Sequence, residues 1–295
     1  MQPKGAHPIL PDRLAAMVEA VKCAFRAGLG EGTIADIAFI GNASPVYAWV
    51  PCRMVDLDCF LFVPRLDRSL GDWLSRMQTR VGVEFDAVGV DFEVRIIEGP
   101  YKPSAAGLER PIIVAHLGVF TEEMYRAAAP LKRWAWRKYA CEVEPARLQR
   151  LAPPRPSLDE FVHGSRGLLE RLAALEAGRV AMVEWLLPEL APTTFFIDRG
   201  SVAFQECCFA YTNNCARNHA RALALIEADL LGNADFVAWY VSNVFSHPPL
   251  RELFAMKAEA RDRGFVHDTG RVHEATVGYL RALAAHLGAV IPEVG

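Results

Sequence analysis

The segment VDLDCFLFV, residues 55–63, is the point from which the rest of the chain can be interpreted. Acidic or aromatic side chains alternate here with aliphatic ones, which predicts a β-strand whose successive side chains point to opposite faces. Asp56, Asp58, Phe60 and Phe62 therefore share one face of the strand. The two carboxylates are predicted to lie side by side, at the N-terminal end of a strand that is otherwise apolar.

This pair of carboxylates has two interpretations. Like charges on one face repel, and partial burial adds a desolvation cost of several kcal/mol per ion. A hard divalent cation is the usual compensation for paired carboxylates, so the pattern favours a metal site. The other interpretation is a solvated strand edge or a salt-bridge cluster without metal, with Arg53 or Arg95 as the partner.

Composition limits the class of protein. The 295 residues are 52% hydrophobic and 23% charged, which is typical of one large or two ordinary globular domains. A net charge of −3 gives no electrostatic reason to expect long nucleic acid as a partner. The seven cysteines show no zinc-type spacing, so we expect reduced, mostly buried thiols. The N-terminus has no apolar signal core and no run is long enough to span a membrane, which predicts a soluble cytoplasmic protein.

Strand and helix patterns alternate over residues 1–120. We predict a helix from Asp12, strands at 34–40, 55–63, 90–97 and 111–117, and a short amphipathic helix after Pro64. These elements are expected to form a small mixed β-sheet domain.

From residue 121 onward the pattern is that of helices almost throughout. Helices are predicted at about 157–187, 215–231, 235–245, 250–261 and 272–287, with Pro188 and Pro192 ending the first of them. Residues 121–295 are therefore expected to form a second domain, an all-α helical bundle. The predicted fold class is α+β, a sheet domain followed by a helical one.

Three short motifs follow one another in the first third of the chain. Residues 40–42 (IGN) end a strand in a glycine turn, residues 55–58 (VDLD) carry the acid pair, and residues 92–94 (FEV) place an acid in a later strand. This order resembles the nucleotidyltransferase superfamily, whose polymerase-β-like fold is shared by aminoglycoside nucleotidyltransferases and poly(A) polymerases. The sheet domain followed by helices is similar to the aminoglycoside group.

The resemblance implies a metal site made of acids. Asp56 and Asp58 would bind Mg²⁺, and Glu93 would complete the site or act as the general base. Asp91 lies two residues before Glu93 on the same strand face and is the alternative third acid. We expect these acids to project from two neighbouring strands and to contact the ion from one side.

The resemblance also implies a phosphate-binding turn. Gly41, Asn42 and Ser44 would hold the phosphates of the nucleotide, although the family has serine where this chain has Asn42. Lys102 is a further candidate contact to the nucleotide. The basic and aromatic segment 132–139 could grip a triphosphate or an RNA-like substrate, but packing at the domain junction is favoured for it.

Together these features predict a Mg²⁺-dependent nucleotidyltransferase. It would transfer NMP from an NTP, with ATP expected, to a hydroxyl or amine of a small-molecule acceptor chosen by the helical domain. Two alternatives remain: a nucleotidyltransferase-like toxin or RNA-modifying enzyme, and a non-catalytic nucleotide-sensing module. The acceptor and the oligomeric state stay open. The eight histidines occur singly, and none is assigned a metal role.

Overall fold

The computed structural model describes residues 11–40, 54–98, 109–127, 140–141, 172–223, 233–263 and 268–290. In chain order these residues form α1 (Pro11–Gly30), β1 (Asp36–Ile40), β2 (Met54–Phe62), α2 (Arg68–Asp86), β3 (Asp91–Arg95), β4 (Ile97–Glu98), β5 (Ile112–Phe120), α3 (Glu122–Ala127), β6 (Ala140–Cys141), α4 (Leu172–Glu176), β7 (Arg179–Leu186), β8 (Ala191–Asp198), α5 (Val202–Ala222), α6 (Asn233–Asn243), α7 (Pro249–Arg263) and α8 (Thr269–Val290). The fold is mixed α+β, as predicted.

A large sheet has the strand order β3-β5-β2-β1-β6. Strands β2 and β3 both run parallel to β5, whereas β1 is antiparallel to β2 and to β6. The expectation that the Asp56/Asp58 strand and the Glu93 strand are neighbours is wrong, because β5 lies between them. Strand order depends on pairing between distant segments, which no local pattern of residues encodes.

The aliphatic face of the large sheet forms one hydrophobic core with α1 and α2. Leu57, Cys59 and Leu61 of β2 are fully buried there. The Asp67 carboxylate begins α2 by accepting a hydrogen bond from the backbone N–H of Ser69 at 3.0 Å. The buried residues of α2 then follow helical spacing: Leu70, Gly71, Trp73, Leu74, Met77, Val81 and Phe85. Each large aliphatic or aromatic side chain buried here contributes about 1.5–3 kcal/mol.

The opposite face of the large sheet is divided into two halves. In one half, the rings of Phe60, Phe62 and Phe120 pack together and are covered by the fully buried Tyr125 of α3. Gly118 makes this packing possible, because a Cβ at that position would lie 2.4 Å from the Phe60 ring. The other half of this face carries the predicted acids, and it is the half that α3 does not cover.

The second half of the chain is not all helical. Residues 179–186, predicted as the end of a long helix, instead form β7, which pairs with β8 in an antiparallel hairpin. Gly178 has a φ of +74° and stops α4, after which Val180 and Met182 point alternately into the core. With β4, the hairpin makes a small sheet of order β4-β7-β8.

Helices α5 to α8 pack on this hairpin around a second hydrophobic core. Its fully buried members include Phe204, Cys207, Phe236, Leu253 and Leu280. Helices predicted at 235–245, 250–261 and 272–287 are confirmed as α6, α7 and α8, while the helix predicted to start at 215 begins at Val202. No helix within the described ranges is long and apolar enough to cross a membrane.

The two halves of the chain are joined through β4 and the hairpin turn. Strand β4 belongs to the first half but pairs with β7, and the backbone N–H of Trp185 donates to the Ile96 carbonyl at 2.9 Å. On the other side of the turn, Gly71 of α2 meets Pro188 so closely that a Cβ would lie 1.8 Å from the Pro188 carbonyl oxygen. The division into residues 1–120 and 121–295 stays a prediction, with this small sheet spanning the proposed boundary.

Candidate metal centre

Asp58 and His116 face each other on adjacent parallel strands. They occupy the same register position of β2 and β5, and Asp58 Oδ1 lies 3.3 Å from His116 Nδ1. Asp56 precedes Asp58 by two residues and so shares its face. Each of the three residues offers one ligand atom, and these atoms all lie within 4.8 Å of one another. All three side chains are partly buried.

A backbone contact fixes which hydrogen-bonding role the Nε2 atom of His116 has. Its Nε2 lies 3.2 Å from the carbonyl oxygen of Ile97 in β4. A carbonyl oxygen can only accept, so Nε2 must carry the hydrogen of this bond. The other ring nitrogen, Nδ1, is therefore the one directed at Asp58. Metal-binding histidines commonly use this arrangement, with one nitrogen donating to a carbonyl and the other facing the ion.

The predicted third acid lies outside this group. Glu93 is aligned with Val114 of β5, as Asp56 is from the other side, so β5 separates the two acids. Glu93 Oε2 accepts from Arg95 Nε at 2.8 Å, and Arg95 Nη1 lies 3.7 Å from Glu184 of β7. The structure thus brings Asp56 and Asp58 together with a histidine, and it places Glu93 beside an arginine.

Asp91, the alternative third acid, is also next to an arginine. Its Oδ1 lies 3.4 Å from Arg110 Nε, and the same guanidinium donates to Asp86 of α2 at 2.8 Å. In β3, Asp91 is aligned with Ile112, the first residue of β5, whereas His116 lies four residues further along β5. Asp91 therefore lies further from His116 along the sheet than Glu93 does.

The predicted nucleotide-binding residues lie outside the described ranges. These are Gly41, Asn42, Ser44 and Lys102, together with the basic and aromatic segment 132–139. The residue before Gly41 is described: Ile40 ends β1 and is paired with Asp58 of β2. Strand β1 therefore ends at the level of the carboxylate pair.

The buried cysteines among the described residues are poor candidates for thiol chemistry. Cys59 points to the opposite, apolar face of β2, and burial raises its pKa well above the ordinary value. Burial likewise raises the pKa of Cys207, Cys208 and Cys215 to about 12. These thiols stay protonated at neutral pH, and only thiolates are effective nucleophiles. The prediction of free and mostly buried cysteines is confirmed for these four, whereas Cys23 is exposed.

His116 is the site residue that sequence reasoning missed. It lies in a strand that was predicted correctly, β5, where it is the polar residue of the otherwise apolar run IIVAHLGVF. A polar residue in such a run is a usable signal for a functional position. The missing information was the position of β5 beside β2, which gives this histidine its partners.

Comparisons with known proteins give no assignment. No protein-family model matches the chain, and neither a curated protein nor a solved structure matches it. The side chains of the large sheet are therefore the basis for a functional assignment: the Asp56–Asp58–His116 group, and Glu93 with Arg95 on β3.

Proposed function

We propose that this protein is a divalent-cation-dependent nucleotidyltransferase that transfers NMP from an NTP to a hydroxyl or amine of a small molecule. The observation that supports this proposal is the convergence of Asp56 and Asp58 with His116 on one face of the sheet. The predicted phosphate turn, which starts at Gly41, follows directly in sequence from the residue paired with Asp58. Cation and phosphates would then meet at one place.

The chemistry of the transfer explains why this arrangement suits it. The acceptor oxygen or nitrogen bonds to the α-phosphorus, the bond from that phosphorus to the bridging oxygen breaks, and pyrophosphate leaves. A bound divalent cation, Mg²⁺ according to the resemblance, supplies charge neutralisation for the phosphates. Asp56 and Asp58 would hold that cation and fix its position against the sheet. The like charges of these carboxylates, whose ligand atoms lie within 4.8 Å of each other, favour a bound cation.

Glu93 is proposed as the general base. It lies on the same sheet face as the acid pair, one strand beyond His116, so an acceptor bound over β5 would lie between them. To accept a proton, Glu93 must be released by Arg95. Glu184 provides an alternative partner for that guanidinium at 3.7 Å, so the release needs no new charge.

Two observations favour a second function, a non-catalytic nucleotide sensor. The same 2.8 Å contact between Arg95 and Glu93 would keep the base occupied, and Asn42 replaces the serine of the family's phosphate turn. Such a module would bind an NTP in a cation-dependent way without turning it over.

The test uses α-labelled forms of the four NTPs with Mg²⁺ or Mn²⁺ and a panel of aminoglycoside and other polyhydroxyl or polyamine acceptors. We expect label to pass to an acceptor with the wild-type protein and not with Asp58→Asn. Asp86→Asn, which removes an exposed acid from α2, is the matched control and should transfer like wild type. Equal transfer by Asp58→Asn would overturn the proposed site. Cation-dependent NTP binding without transfer would assign the sensor function.

A further inference from the structure

We propose that the Asp56–Asp58–His116 group binds a transition-metal dication, with Mn²⁺ as its representative, in preference to Mg²⁺, and that His116 is a direct ligand. The inference concerns the same site as the proposed function and deepens it, but the binding it describes needs no nucleotide. It replaces the expected all-carboxylate site with a mixed site of two oxygen donors and one nitrogen donor.

The distances fit a common ion. Ligand atoms about 2.1 Å from one ion lie at most about 4.2 Å apart. Asp58 Oδ1 and His116 Nδ1, at 3.3 Å, already satisfy this limit. The complete set, within 4.8 Å, needs a movement of well under 1 Å by the Asp56 carboxylate or its partners. Glu93, whose carboxylate bonds Arg95, is not needed to complete the three ligands.

The His116 ring is oriented for an ion. Because Nε2–H is donated to the Ile97 carbonyl, a neutral His116 ring would direct a lone pair from Nδ1 at the Asp58 carboxylate. A cation bound beside that lone pair and the Asp58 carboxylate, whose ligand atoms are 3.3 Å apart, would be coordinated by both. The Ile97 carbonyl belongs to β4, outside the cluster, so the backbone of a neighbouring strand holds the ring in this position.

The type of donor selects the metal. Mg²⁺ prefers oxygen ligands in a strict octahedron and gives up its bound water reluctantly. Imidazole nitrogen favours transition-metal ions over Mg²⁺, whereas carboxylates accept both kinds. The Asp58 side chain is 32% exposed and that of His116 14%, so three protein ligands would leave coordination positions open to water or phosphate oxygens. Open positions are the mark of a catalytic, rather than a structural, metal site.

The experiment is a titration of the full chain with Mn²⁺ in the absence of nucleotide, followed by electron paramagnetic resonance, with Mg²⁺ as the competitor. We expect one bound Mn²⁺ per chain, an affinity at least tenfold higher than for Mg²⁺, and a nitrogen coupling in the pulsed spectrum. His116→Gln should lose the nitrogen coupling and weaken Mn²⁺ binding at least tenfold. His116→Asp, which makes the set all oxygen, should shift the preference toward Mg²⁺. The control Asp86→Asn should match wild type.

Equal affinity for Mn²⁺ and Mg²⁺, no Mn²⁺ binding, or an unchanged nitrogen coupling in His116→Gln would overturn the inference. No Mn²⁺ binding would mean that a second ring proton, shared with Asp58, supplies the positive charge. Circular dichroism and thermal melting verify that each variant is folded, and His116→Asp gives a directional result even if His116→Gln is unstable. Mg²⁺-dependent nucleotide transfer without Mn²⁺ binding defeats this inference alone. Mn²⁺ binding without transfer defeats the proposed function alone.

Discussion

Glu93 and Arg95 lie two residues apart on the same face of β3, and the Arg95 guanidinium donates to the Glu93 carboxylate at 2.8 Å. The Glu93 side chain is 42% exposed and that of Arg95 is 34% exposed. Because water screens such a pair, it adds at most about 1 kcal/mol to stability. Its importance is positional: it directs the Glu93 carboxylate to Arg95, one strand away from the candidate metal centre.

This separation predicts that Glu93 and Asp58 fail in different ways when they are altered. Glu93→Gln should leave divalent-cation affinity within about threefold of wild type, while lowering transfer by the roughly 10²- to 10⁴-fold typical of a general base. Asp58→Asn should weaken cation binding itself. Calorimetric titration beside a transfer assay separates the two effects. A large loss of cation affinity in Glu93→Gln would make Glu93 a ligand, contrary to this account.

Asp58→Asn is expected to abolish transfer with little change in thermal stability. The substitution removes one of two like charges, and the amide of the introduced asparagine can still donate a hydrogen bond to His116 Nδ1. The melting temperature without cation should stay within a few degrees of wild type, and stabilisation by added Mn²⁺ or Mg²⁺ should be lost. Wild-type turnover by this variant would show that the reaction occurs elsewhere.

Gly71→Ala tests the contact between α2 and the hairpin turn. A Cβ at residue 71 would lie 1.8 Å from the Pro188 carbonyl oxygen, so α2 and the turn must separate, at a cost of about 1–3 kcal/mol. Gly82→Ala is the matched control in the same helix, since a Cβ there meets nothing within 4 Å. The control should stabilise the protein by about 0.5–1 kcal/mol through helix propensity.

Urea denaturation of both glycine variants measures the difference. If Gly71→Ala were as stable as wild type, the close approach of α2 to Pro188 would not exist in solution. If both variants lost stability equally, the effect would belong to α2 rather than to its contact with the hairpin.

His219 is expected to make the helical half sensitive to acid. It lies buried beside Tyr240, whose hydroxyl is 2.8 Å from its Nδ1. Burial, and secondarily the charge of His286, lowers the pKa of His219 to about 4. In the unfolded chain its pKa is about 6.5, so between these values only the unfolded state takes up the proton. The stability that His219 contributes is therefore complete above about pH 6.5 and falls by about 3 kcal/mol as the pH approaches 4.

Denaturation curves at pH 7, 6, 5 and 4 for wild type and His219→Gln isolate this contribution. The other titrating groups are common to both proteins, so the wild type should lose more stability than the variant across this pH range. Parallel losses would mean that His219 is not kept neutral by burial.

The large sheet was predictable where side chains alternate locally. The period of two in residues 55–63 predicts the Asp56/Asp58 face, and the short apolar run at 111–117 predicts a strand. Strand order was not predictable, because the insertion of β5 between β2 and β3 depends on pairing over more than fifty residues. The position of β5 between β2 and β3 separates Glu93 from the acid pair and places His116 beside it.

The hairpin was missed for a different reason. The leucine-rich helical spacing before residue 178 predicts a helix that continues through Gly178 to Leu187. In the structure, Gly178 adopts a positive φ and α4 ends before it. The signals for strands were present: inward alternation at Val180 and Met182, and the β-branched and aromatic run TTFFI at 193–197. The short alternating pattern of the hairpin strands is a weaker signal than the longer helical pattern that precedes it.

The proposed function requires that Asp56, Asp58 and His116 form a cation site at which a nucleotide binds. A thermal-shift titration tests this requirement. Wild type and Asp58→Asn are compared with each of the four NTPs, with Mn²⁺, with Mg²⁺ and with chelator. We predict stabilisation of wild type that requires both a divalent cation and an NTP, about 2.7 kcal/mol at a hundredfold excess over Kd, and none in Asp58→Asn. The same shift with chelator present, or an equal shift in Asp58→Asn, would contradict the account.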